Sequence, residues 1–224
     1  MLSNERTGRF RTSPNDEQDG AQTAEKKGLS EAQTTFGFSR DFDREFRLGK
    51  ILGRGSFGTV YAVHPTGKSK YAGRNDLAVK VINKISFKNE KEVYWLKQEI
   101  EIMRRLSNSL NIVNLYDTYE NPGRVYLLME KCTGGTLYDR ITRGKSYSES
   151  MARIVFGDII RTVQQCHLRG VLHRDIKPEN FLFASGAKTA PLKATDFGLA
   201  CFCKPNEKLR EVTGTPYFIG KFDR

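Results

Sequence analysis

His173-Arg174-Asp175-Ile176-Lys177-Pro178-Glu179-Asn180 is followed, sixteen positions after its last residue, by Asp196-Phe197-Gly198. The two stretches place a candidate base (Asp175), a cation able to meet phosphate (Lys177) and two metal-binding oxygens (Asn180, Asp196) on successive loops. Transfer of a phosphoryl group needs that set, because its catalysis is mostly positioning and neutralisation of charge. A single aspartate in a loop is more often a turn former. Four polar residues at this spacing, with a glycine-rich stretch upstream, are not explained that way.

The upstream stretch is Leu52-Gly53-Arg54-Gly55-Ser56-Phe57-Gly58-Thr59-Val60. G-x-G-x-x-G alone is a weak signal, since any tight hairpin uses glycine, and a dinucleotide fingerprint requires a helix to begin within the motif. β-Branched Thr59 and Val60 argue for a strand instead. Further on, Ala78-Val79-Lys80 reads as a strand whose alternation points Ala78 and Lys80 to one face. A lysine flanked by apolar residues there is unusual for a merely solvated charge.

These motifs resemble the protein kinases, whose catalytic-loop and metal-loop signatures they match. The resemblance implies ATP and Mg²⁺ as cofactors. Asp175 would be the base or orienting group for the substrate hydroxyl, Lys177 the neutraliser of the γ-phosphate, and Asn180 and Asp196 the Mg²⁺ ligands. The glycine loop from Leu52 to Val60 would cover the phosphates, with Val60 over the adenine. Lys80 would contact the α- and β-phosphates and pair with Glu99, nineteen residues on, at the family's usual spacing. Glu101 is the rival, but it falls about 200° around the helix from Glu99, and Glu92 is too early. Met129 stands at the gatekeeper position, Glu130-Lys131-Cys132 at the hinge, and Ala78 and Leu182 would sandwich the purine with Val60.

Lys177-Pro178-Glu179-Asn180 looks like the serine/threonine type. The wider stretches HRDIKPENFLF (173–183), APLKATDFGL (190–199), KPNEK (204–208) and the lead-in FGFSRDFDREF (36–46) closely resemble the calcium-dependent protein kinases, within the calmodulin-dependent group. The resemblance covers about Phe36 to Phe218 and implies phosphorylation of protein Ser/Thr acceptors.

Three positions depart from that pattern. Thr136 stands where the family often has a glutamate for ribose and basic substrate side chains, leaving Glu179 for that work. No D-x-D-x-D-G loop is present, so no EF-hand calcium site is expected in this chain. Gly214-Thr215-Pro216-Tyr217-Phe218-Ile219 should run on into Ala-Pro-Glu but reads Gly220-Lys221-Phe222-Asp223-Arg224. The expectation is therefore a larger lobe truncated before Ala-Pro-Glu, with an apolar face uncovered and low turnover. A catalytically impaired, ATP-binding fragment acting through binding is the alternative reading. Glu211 aligns where an activating phosphate usually sits, so its carboxylate is expected to meet Arg174. Thr215 is expected to orient Asp175 and Lys177.

The fold so implied is α+β and bilobal: a five-stranded N-lobe with one helix over 46–131, and an incomplete helical C-lobe over 136–224. Residues Phe46–Leu52, Thr59–Val63, Leu77–Ile82, Ile112–Tyr119 and Arg124–Lys131 read as strands. A helix is predicted over 88–106, where Val93, Leu96, Ile100, Met103 and Leu106 recur at three- and four-residue steps. A second helix is predicted from the N-cap Ser148 to the stop at Gly170, with Met151, Ile154, Val155, Ile159 and Val163 as its apolar stripe. Residues 1–40 are polar with only scattered phenylalanine, and are expected to be disordered.

At 224 residues the chain has room for one domain and a second small one at most. The net charge of +11 raises nucleic acid as a partner, but no arginine-rich block with interleaved aromatics appears, and none is expected to bind. Cys132, Cys166, Cys201 and Cys203 have no metal-ligand spacing and read as reduced thiols of a cytoplasmic-type compartment. No stretch approaches a membrane span in length, and no apolar signal core follows Met1.

Overall fold

Alternation along the central strands decides which residues reach the helix side of the sheet. The computed structural model describes residues 29–30, 32–55, 58–143, 148–204, 213–215 and 217. After a short helix α1 (Phe42–Glu45), strands β1 (Phe46–Gly55), β2 (Gly58–Pro65) and β3 (Leu77–Asn83) lead into helix α2 (Glu90–Leu106). Strands β4 (Leu115–Glu120) and β5 (Arg124–Glu130) complete an antiparallel sheet of order β1-β2-β3-β5-β4. On β3, Ala78 and Ile82 join a core beneath α2, while Leu77, Val79 and Val81 join a second core on the other face with Phe42, Phe46 and Tyr126. Burial on both faces is why β3 and β5 read as nearly continuous apolar runs.

Helix α2 is set by its ends and its stripe. Asn89 Oδ1 accepts from Glu92 N at 3.1 Å, and Glu92 Oε2 accepts in return from Lys88 N at 2.9 Å. Glu92 is thus a capping residue. The five apolar residues predicted to face inward are all buried, and Ile102 with them.

The second half is built of nested hairpins on one long helix. Helices α3 (Leu137–Arg143) and α4 (Glu149–Leu168) precede β6 (Val171–Leu172), β7 (Phe181–Phe183), β8 (Leu192–Ala194) and β9 (Cys201–Phe202). β6 pairs with β9 and β7 with β8, both antiparallel. The loop 173–180 leaves β6 for β7, and the loop 195–200 leaves β8 for β9, so this pairing brings both loops to one end. Ser148 Oγ caps α4 through Met151 N, and Gly170 ends it at φ +66. The architecture is α+β: a five-stranded antiparallel sheet followed by helices.

Three sequence expectations are corrected. Residues 32–40 do not share the disorder expected of 1–40: Ala32–Thr34 form a 3₁₀ turn, and Phe36 and Phe38 pack against the main core. Two aromatic rings and the buried Glu120 carboxylate, which accepts from the N–H groups of Phe36, Gly37 and Phe38, offset the ordering entropy there. Residues 1–28 and 31 lie outside the described residues. The fourth strand begins at Leu115 rather than Ile112, because Val113 N donates to Ala194 O and Ala194 N to Asn111 O, which gives this stretch to β8. The stripe predicted for α4 holds only in part: Val155 and Ile159 pack against the main core, but Met151 and Ile154 do not face it. Thr162 and Cys166 are the helix's fully buried residues, since they face β6 and β8, whereas Ile154 is 66% exposed.

Candidate active site

Two loops carry the polar residues, and both are held in unusual backbone. Arg174 has φ 64 and Asp196 has φ 60, a left-handed region that few non-glycine residues occupy. His173 explains part of the support. Its Nδ1 accepts from Asp175 N at 3.3 Å, which leaves the Nε2 proton for Thr195 O, also at 3.3 Å. The ring packs on Phe197 at 4.7 Å between centroids. Burial, against smaller opposing effects from Thr195, Asp196 and Asp175, pushes the imidazole below its ordinary range, so it stays neutral. One neutral histidine therefore joins the backbone of both loops. Arg174 Nε donates to Leu199 O at 2.7 Å, a further tie between them.

Asp175 is the hub. Its Oδ1 accepts from Thr215 Oγ1 at 2.6 Å and Thr215 N at 3.1 Å, and its Oδ2 from Asn180 Nδ2 at 2.8 Å, with Lys177 Nζ at 2.7 Å. Lys177 Nζ also donates to Thr215 Oγ1 at 2.8 Å. Burial alone would raise the Asp175 carboxyl. The Lys177, Thr215 and Asn180 donors outweigh it and hold the group below the usual carboxylate range. Asn180 Nδ2 donates as well to Asp175 O at 2.9 Å.

Across the cleft, Lys80 Nζ lies 2.8 Å from Glu99 Oε1. Burial lowers the Lys80 ammonium, but the Glu99 carboxylate, with a smaller contribution from Asp196, raises it above its ordinary value, so it is charged. Glu99 is buried and Glu101 exposed, the outcome of their separation around α2.

β1 and β2 form the glycine hairpin, with Gly53 opposite Val60, Arg54 opposite Thr59 and Gly55 opposite Gly58. Gly58 is required for packing: a Cβ there would stand 2.5 Å from Val81 O. Gly53 and Gly55 are different, because a Cβ would meet nothing within 4 Å at the first and only Gly58 O, at 3.9 Å, at the second. Ser56 and Phe57 lie outside the described residues, as does Glu211. Leu52 is exposed and Val60 half-buried; Ala78 lies between Ala62 of β2 and the buried gatekeeper-position Met129 of β5. Leu182, half-buried, is bridged to Thr136. Just past β5, burial and the nearby Glu130 push the Cys132 thiol up to about 12.

Two features escaped the sequence reading. Glu130 does not point its charge freely: its carboxylate meets Lys193 Nζ at 3.0 Å and accepts from Asn114 Nδ2 at 3.1 Å. The signal was available, since Lys193 stands between Leu192 and Ala194 as Lys80 stands among apolar neighbours. Thr136 also has a local task. Its Oγ1 accepts from Asp139 N at 2.9 Å and donates to Asp139 Oδ2 at 2.8 Å, capping α3.

The protein kinase domain family model matches residues 46–220. The chain is 43% identical over 82% of its length to a calcium/calmodulin-dependent serine/threonine-protein kinase 1 of Oryza sativa subsp. japonica, of which it covers 30%. It is 44% identical over 80% of its length to calcium-dependent protein kinase 14 of Arabidopsis thaliana, covering 33% of that protein. To a CDPK-related protein kinase of Daucus carota it is 43% identical over 83% of its length, covering 31%. The chain thus spans about a third of the length of the curated relatives it matches. With sheet, hub and cleft arranged as above, the chain belongs to the protein kinase domain family, on its calcium-dependent serine/threonine branch.

Proposed function

We propose that this chain transfers the γ-phosphoryl group of ATP to serine or threonine hydroxyls of proteins, with a smaller lobe over 46–131 and a larger one over 136–224. The observation that carries the reading is the Asp175 hub. An ionised carboxylate is fixed by Thr215 and Asn180 beside the Lys177 ammonium. Asp175 orients the incoming hydroxyl and takes its proton as the oxygen bonds to the γ-phosphorus. The bond from that phosphorus to the β–γ bridging oxygen breaks, and ADP leaves. Lys177 offsets charge on the moving phosphoryl group. Lys80, held by Glu99, suits the α- and β-phosphates, and the open space over Gly53 and Gly55 suits close approach of phosphate oxygens to backbone N–H groups.

The donor set fits Mg²⁺. The Asp196 side chain lies near enough to Lys80 to raise its pKa, and Asn180 spends its Nδ2 on Asp175, which keeps its hard Oδ1 for a cation. When bound by Asp196, Asn180 and phosphate oxygens, Mg²⁺ neutralises charge on the β- and γ-phosphates. The adenine is expected against Val60, Ala78 and Leu182, with backbone hydrogen bonds from Glu130 and Cys132.

Incubation of the purified chain with γ-labelled ATP and a mixed peptide library tests the reading. Label is expected on Ser and Thr, and lost in Asp175→Asn while ATP still binds. Absence of Mg·ATP binding by the wild type, or label confined to Tyr, overturns it.

A further inference from the structure

The lead-in to the sheet runs along α2. Gln33 Nε2 donates to Glu90 Oε1 at 2.8 Å, Phe36 lies 5.4 Å beneath Lys97 Nζ, and Phe38 lies 5.3 Å from the Arg104 guanidinium. Glu90, Lys97 and Arg104 are seven residues apart, so they share one face of the helix over about 21 Å. The segment from the Ala32–Thr34 turn to Phe38 carries these contacts from the first turn of α2 to its last. Lys97 and Glu99 stand about 200° apart around the helix. The lead-in therefore touches α2 on the side away from the Glu99 carboxylate that meets Lys80.

The segment is anchored at its far side to the sheet. Glu120, at the end of β4, accepts from Gly37 N at 2.7 Å, Phe38 N at 2.9 Å and Phe36 N at 3.2 Å, and meets Lys84 Nζ at 2.6 Å. Glu120 N donates in turn to Ser39 O at 2.9 Å. Both charged side chains of the Lys84–Glu120 pair are about 95% buried or more (5% and 2% exposed). Burial would raise the Glu120 carboxyl, but Lys84 and the backbone donors hold it below the ordinary range. Phe36 also packs on Phe87, just before α2, with ring centroids 6.2 Å apart.

We infer that Phe36, Phe38 and Glu120 are positioning residues for the reaction: the lead-in, fastened by Glu120, presses α2 onto the sheet and so keeps Glu99 within reach of Lys80. The helix is held between two layers, and its carboxylate can reach the phosphate-contacting lysine only while it stays there. The inference rests on the phosphoryl-transfer reading for what Lys80 touches, and on geometry alone for what holds α2.

A thermodynamic cycle in the full chain tests it. Phe36→Ala/Phe38→Ala is expected to weaken Mg·ATP binding about tenfold, and to change it less than about twofold when Glu99→Gln is already present, because both changes act through one contact. An equal loss in both backgrounds overturns the inference. Gly37→Ala is the milder variant: a Cβ there meets nothing within 4 Å, but φ +78 makes any side chain strained, so only the Glu120 anchorage is disturbed. Amide hydrogen exchange is expected to quicken over 90–106 in both variants and to stay unchanged over 149–168; a uniform increase, or none, overturns it. Failure of the wild type to bind Mg·ATP would instead sink the phosphoryl-transfer reading, with the exchange pattern still deciding this one.

Discussion

Lys193 Nζ lies 3.0 Å from a carboxylate oxygen of Glu130, so the strand that leads to Asp196 is ionically joined to the end of β5. The side chains are 6% and 18% exposed, and the same Glu130 oxygen accepts from Asn114 N and Nδ2. Lys193→Met therefore leaves a charge in a mostly buried site with amide donors only. A loss of about 3 kcal/mol is expected, the lower end for breaking a buried pair. Lys193→Met/Glu130→Gln should recover most of it. Urea unfolding with an unchanged m-value checks this; a double variant as unstable as the single one would contradict it.

Asp175→Asn should separate chemistry from binding. The amide keeps the shape of the hub but cannot take a proton, so phosphoryl transfer is expected to fall by about 10²–10⁴. Nucleotide affinity, which the proposed reading assigns to groups other than the Asp175 carboxylate, should stay within about twofold. Single-turnover rates beside calorimetric affinities read the two apart.

Acid should destabilise the fold in two stages. His173, Glu120 and Asp175 all have folded-state values below their ordinary ones. The unfolded chain then binds more protons, so stability present above the ordinary values is lost as pH falls. The His173 contribution begins to fade below its ordinary 6.5 and the carboxylate contributions only lower. His173→Gln should flatten the upper stage of a melting-temperature profile and leave the lower one. A wild-type profile level from pH 7 to 5 would count against the His173 assignment, and one that stayed level on down to pH 2 against the two carboxylates.

Metal dependence should follow Asp196. Asp196→Ala is expected to remove most of the magnesium-dependent part of ATP binding and leave the part measured in chelator. Calcium titrated at fixed magnesium should leave the melting temperature of these 224 residues unchanged, since their sequence contains no twelve-residue oxygen-ligand loop. A calcium-dependent shift would reveal a site of another kind.

Much of the fold was legible because its elements announce themselves locally. Ala78, Lys80 and Ile82 alternate with Leu77, Val79 and Val81, and α2 shows its stripe at helical spacing. The Lys80–Glu99 partnership was legible for the same reason, being a count along two regular elements. What escaped depended on long-range partners. Phe36 and Phe38 look like isolated rings in a polar tail until Glu120, more than eighty residues on, supplies an acceptor for their backbone. Ile112 has strand chemistry, but Ala194 takes its neighbours' hydrogen bonds. Of the α4 face, Val155 and Ile159 were legible, but Thr162, a polar residue by composition, was not: it is buried with its hydroxyl donating to Asp158 O at 2.9 Å.

The left-handed backbone at Arg174 and Asp196 sets two aims of selection against each other. Aspartate tolerates that conformation better than arginine does, yet each residue gives up stability that a glycine would keep, about 1–2 kcal/mol in the worse case. A library screened for heat tolerance alone should drift toward glycine at both positions. Its survivors would melt later and would have discarded the Asp196 carboxylate and the Arg174 tie to Leu199. Screening for persistence and screening for turnover would therefore select different chains from the same starting sequence.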